Sequence, residues 1–119
     1  MTQTEALLLT LAIELPIAVG LVAALRWAPG RLPLVAAASI GASTWTHPVL
    51  WMVDPLLLSA IPDRTLRIGL LEAGIALVET GVYWLAAGLS PRRALLVSLV
   101  ANGASLGIGL LVYTLTNPG

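Results

Sequence analysis

Cysteine and lysine are absent from this chain, and histidine occurs once, at His47. Without cysteine there are no disulfides, no thiolate chemistry and no iron–sulfur ligation. Six arginines balance six acidic residues, so no basic run points to nucleic acid and no acidic tail points to a basic partner. Charge of either sign is scarce: 10% of residues, against roughly 25% in a soluble globular domain. What replaces it is apolar, because hydrophobic residues make up 58% of the 119. A chain this size makes one domain, and with so little charge to coat it most of its outside is expected to face lipid.

About 20 mostly apolar residues cross a bilayer. Four such stretches are present, near Ala6 to Leu25, Leu32 to Val53, Leu66 to Ala87 and Arg92 to Thr114. The expected fold is therefore all-α, a compact bundle of four antiparallel transmembrane helices. Met1 to Glu5 lack the positive start of a secretory signal, so the first stretch reads as a retained helix. Between the stretches stand residues that stop and start helices. Trp27-Ala-Pro-Gly30 ends the first, Pro33 suits the first turn of the second, Asp63 caps the third, and Ser90-Pro91 opens the fourth. Asp54 to Pro62 reads as the longest connection, and Thr116 to Gly119 as an end without a soluble appendage. Trp27, Trp51, Trp84 and Tyr113 fall near helix ends, where amphipathic aromatics meet headgroups, and Tyr83 reads as a further anchor beside Trp84. Arg26, Arg31, Arg92 and Arg93 in the first and third connections outnumber Arg64 and Arg67 around the second, which places both termini outside a bacterial or archaeal cytoplasmic membrane.

Against this apolar background the polar residues are conspicuous. Glu14 lies in the middle of the first stretch, and Glu72 and Glu79 flank the middle of the third. A central charge costs about 2.5–3.5 kcal/mol on insertion scales, so these side chains are expected to face the interior, carrying a proton or pairing with a cation. Glu72 and Glu79 share one helical face, which Tyr83 continues. Ser98, Asn102, Ser105 and Gly109 form a stripe on the fourth helix, and Ser39, Ser43, Thr46 and His47 an arc on the second. Counting about 1.5 Å per residue from each helix midpoint puts Glu14, His47 and Glu72 at one depth, with Asn102 near the midplane and Glu79 slightly past it. Pro16 and Pro48 free the carbonyls of Ala12 and Thr44 beside ionisable groups, as if opening the helices there. Gly74, Gly81 and Gly88 recur on one face of the third helix, and Gly103 and Gly107 on the fourth; such faces suit either a homodimer or close packing within the bundle.

Size, four helices and the carboxylate Glu14 in the first resemble the small multidrug resistance family, in which such a glutamate binds protons and cationic drugs within a dimer. Ile68 to Tyr83 depart from the glycine-rich, tryptophan-containing third helix of that family and carry two glutamates instead. The leading expectation is a small transporter or ion-conducting protein whose ion- or proton-binding residues are Glu14, His47, Glu72, Glu79, Asn102, Ser98 and Ser105. A second is an intramembrane enzyme with a divalent metal held by Glu14, His47 and Glu72 and with Glu79 as general base. A third is a non-catalytic subunit or assembly factor of a larger membrane complex. Expected partners are the bilayer, a small ion or small-molecule substrate, and a second copy or another membrane protein.

Overall fold

In the computed structural model, residues 2–116 are described and form four helices: α1 (Gln3–Leu25), α2 (Leu32–Leu57), α3 (Arg64–Ala87) and α4 (Pro91–Thr116). The reading of residues 117–119 as a bare end lies outside the described residues. The Thr2 hydroxyl accepts the Glu5 N–H at 3.1 Å and the Asp63 carboxylate accepts that of Thr65 at 3.0 Å. Ser90 accepts the Arg93 N–H at 3.3 Å, just before Pro91 begins α4. Each cap satisfies an N–H that the first helical turn leaves without a partner. α2 continues through Pro55 to Leu57, so the first four of the nine residues expected as a connection are helical.

Three helices, α1, α3 and α4, are long and apolar enough to cross a membrane. α2 is as long as α4, 26 residues. Ser39, Ser43, Thr44, Thr46, His47 and Pro48 dilute its apolar character. α1 and α3 each pack on both α2 and α4, which closes a ring.

The interior of the ring repeats. Glu14, Ala18 and Val22 are the buried residues of α1, and Glu79, Tyr83 and Ala87 stand at one constant offset from them in α3. In α2 the buried Val35, Ala38, Ser39, Ala42 and Ser43 likewise match Ala94, Val97, Ser98, Ala101 and Asn102 of α4, residue for residue. The helix pairs α1–α2 and α3–α4 thus bury the same registers. Tyr83 belongs to this interior, only 1% exposed, and not to an interfacial belt. It shares the Glu79 face, and its neighbour Trp84 points outward.

Two kinds of glycine separate here. A Cβ built on Gly74, Gly81, Gly103 or Gly107 meets nothing within 4 Å, so close packing inside the bundle does not explain them. Gly88 is different: it ends α3 at φ 74°, and the Arg31 guanidinium, which donates to its carbonyl at 3.3 Å, occupies the place of a side chain. Gly88→Ala is expected to destabilise the fold by about 1–2 kcal/mol through the left-handed backbone alone. Gly74→Ala is expected to be neutral or to stabilise by up to about 1 kcal/mol. Unfolding of the two variants in detergent checks the contrast.

Candidate functional site

The polar side chains of the interior meet at the centre of the bundle, where α1 and α3 each present a carboxylate. Glu14 Oε2 accepts the Ser43 hydroxyl at 2.8 Å. Glu79 Oε1 accepts the Thr46 hydroxyl at 3.2 Å, and its Oε2 accepts the Asn102 amide at 2.9 Å. The same amide nitrogen donates to the Ser98 carbonyl at 2.8 Å, and the Ser98 hydroxyl donates to the Ala76 carbonyl at 2.7 Å. Glu79 is therefore held from α2 and α4 at once, with both oxygens engaged.

Glu14 is not. Its Oε1 is buried without a hydrogen-bond partner among the described residues, and so is Ser39 Oγ, one turn from Ser43 on α2. The Tyr83 hydroxyl faces Ser39 without completing a hydrogen bond. Glu14 and Glu79 are 1% and 2% exposed, and neither is paired with an arginine: the ion pair among the described residues is Arg67 with Asp54, at the end of α2. The nearest charged influence on Glu14 is Glu79, with Glu72 a weaker one.

Of the residues expected to form the site, Glu14, Glu79, Asn102 and Ser98 lie in the interior, and Glu14 is linked electrostatically to Glu79. Glu72 is half-buried and interacts electrostatically with Glu79 but joins none of these hydrogen bonds. Ser105 is also half-buried and outside the network. His47 turns away along its own helix, where its Nε2 accepts the Trp51 indole N–H at 3.2 Å. The expected level of Glu14, His47 and Glu72 is corrected accordingly. Because α1 begins at Gln3 and α2 runs on to Leu57, both midpoints shift, and Glu14 falls opposite Ser43, about one turn from His47. Among the described residues no three His, Asp or Glu side chains converge as a metal-ligand set, so these three do not assemble the expected metal site. Ala12 and Thr44, whose carbonyls the prolines free, are exposed on the outer surface and take no part in the interior network.

Ser39, Ser43 and Thr46 were legible only as an arc, and their importance comes from the partners they find. An apolar groove of about 430 Å³ between α2 and α3 is lined by Leu34, Gly41, Trp45, Val78 and Val82, and touches the network only at Thr46. Compared with protein-family models, curated proteins and solved structures, the chain gives no match, so the resemblance to the small multidrug resistance family rests on size, the four helices and Glu14 alone.

Proposed function

We propose that the chain is a multi-pass membrane protein of four antiparallel spans that transports or conducts a small ion, with Glu14, Glu72 and Glu79 exchanging protons or binding the cation. The inverted distribution of polarity supports the membrane reading. Glu14, Ser39, Ser43, Glu79, Ser98 and Asn102 are inside, whereas Leu77, Leu85 and Leu115 are 67%, 77% and 70% exposed. In water the reverse arrangement is the stable one; in hydrocarbon this one is. α2 fits as the fourth span because its 26 residues reach about 39 Å and its serines and Thr46 face the interior. The arginine distribution favours both termini outside.

One observation carries the functional reading: two carboxylates buried at the bundle centre with no cationic side chain beside them. A carboxyl in that position is neutral with a proton or neutralised by a bound cation, and exchange between those states moves charge or a proton through the interior. A purely structural tie between helices would need only an amide or hydroxyl, at lower cost. Purified protein in liposomes, loaded with a pH-sensitive dye and driven by an ion gradient, tests this. Wild type is expected to pass protons or a small cation, and the Glu72→Gln, Glu79→Gln double variant to lose most of that flux. Equal flux in both would sink the reading.

A further inference from the structure

The two helix pairs repeat their buried registers, yet they do not repeat their hydrogen bonds, and the difference falls on particular atoms. In α3–α4 the Ser98 hydroxyl reaches a carbonyl of α3, and both Glu79 oxygens accept. The counterparts in α1–α2 are Ser39 and Glu14. Ser39 Oγ has no partner, and Glu14 has a partner on one oxygen only. The two buried side-chain atoms left unsatisfied among the described residues are thus both in the α1–α2 half. An orphaned buried polar atom costs about 1–3 kcal/mol, and these two belong to residues connected through Ser43, which donates to Glu14 at 2.8 Å and stands one turn from Ser39.

We propose that the α1–α2 pair holds a binding site for a sodium-sized monovalent cation, made by Glu14 Oε1, Ser39 Oγ and Ser43 Oγ, of which the Glu79 cluster is the self-satisfied counterpart. The chemistry of the donors selects the ion. All three are oxygens, which suit a hard cation. Only one carboxylate is available, so a single positive charge leaves the site neutral, as the interior of a membrane bundle requires. A divalent ion would need a second carboxylate, and both oxygens of Glu79 are engaged by Thr46 and Asn102. Glu14, Ser39 and Ser43 are each 1% exposed, so the three side chains are closed off from the outside of the bundle. The cation replaces a proton on Glu14 one for one, so sodium and protons compete. The other titratable groups facing Glu14 come from α3: Glu79, Glu72 and Tyr83. Glu79 also ties α2 to α4 by accepting from Thr46 and Asn102.

This inference rests on the reading of the buried carboxylates as exchange groups, and its test is a binding measurement that needs no flux. Purified protein in detergent is titrated with sodium chloride against choline chloride at constant ionic strength, followed by thermal unfolding and by sodium-23 NMR linewidth. Wild type is expected to show saturable, sodium-specific stabilisation that weakens as pH falls. Ser39→Ala should weaken the apparent affinity about tenfold, the loss of one charge-assisted contact, and Glu14→Gln should abolish it. Thr114→Ala, which removes only a hydroxyl bonded to the Leu110 carbonyl of its own helix at 2.9 Å, should keep it within about threefold. Should Glu14→Gln fail to fold, Ser39→Ala against wild type decides. Equal behaviour in sodium and choline, or unchanged affinity in Ser39→Ala, overturns the proposal and leaves a water molecule between the two atoms. Binding without flux in liposomes would overturn the transport reading alone, and proton flux without sodium binding would overturn this inference alone.

Discussion

Replacing Asn102 with leucine is expected to lower the stability of the folded bundle by about 2–4 kcal/mol, while Glu79→Gln costs less than about 1 kcal/mol. The amide of Asn102 is the only side chain of α4 that reaches Glu79, at 2.9 Å, and the same nitrogen also satisfies the Ser98 carbonyl at 2.8 Å. Leucine has nearly the same shape, so the change removes donors and leaves volume almost untouched. Glu79 then keeps Thr46 alone, inside a bundle where it is 2% exposed. For helices that span a bilayer as proposed, the loss is expected to exceed the roughly 0.6 kcal/mol average of interhelical hydrogen bonds in membranes, because it leaves a carboxyl oxygen with no alternative partner. The discriminating measurement is a double-mutant cycle by reversible unfolding in detergent. Asn102→Leu combined with Glu79→Leu is expected to be more stable than Asn102→Leu alone, since an apolar pair has nothing left to satisfy. Additive losses would show that Asn102 acts through packing and not through Glu79.

The helices and the inward facing of the glutamates were readable because both depend on strong local signals. Runs of apolar residues punctuated by Pro33, Asp63, Ser90 and Pro91 give the elements, and the cost of a central charge puts Glu14 and Glu79 inside. The pairing of side chains across helices was not readable in the same way. It depends on relative height, and a helix that extends by one turn, as α2 does through Pro55, slides every residue against its neighbours. That slide exchanges His47 for Ser43 as the partner of Glu14. Tyr83 shows the complementary difficulty: a tyrosine near a helix end fits an interfacial belt, but here its face of α3 already carries Glu79 and faces Ser39. The repeated registers were present in the sequence as well, spread over small residues such as Ala38, Ala42 and Ala101, whose burial has no signature until the ring closes.

Truncating Arg67 to alanine is expected to cost about 2–3 kcal/mol and to loosen residues 58–63, whereas Asp54→Asn costs about 1 kcal/mol or less. Arg67 is buried at the start of α3, its Nε donating to Asp54 at the end of α2 and its Nη1 to the Ile61 carbonyl at 3.1 Å. One planar guanidinium thus joins α2, the connection and α3, with its alkyl stem packed between them. The asymmetry between the variants follows from exposure: the Arg67 side chain is 9% exposed and that of Asp54 37%. Removing the arginine strands a carbonyl and leaves a gap, but the aspartate left behind is solvated, so the full penalty of breaking a buried pair does not apply. Removing the Asp54 charge leaves the guanidinium its carbonyl and its packing. Lysine at position 67 is expected to recover less than half of the loss, because a single ammonium does not reproduce the fork that serves two acceptors in different directions. Unfolding in detergent gives the stabilities, and limited proteolysis within 58–63 reports the loosening. If Asp54→Asn were as damaging as Arg67→Ala, the charge pair and not the guanidinium fork would be what holds this end of the bundle together.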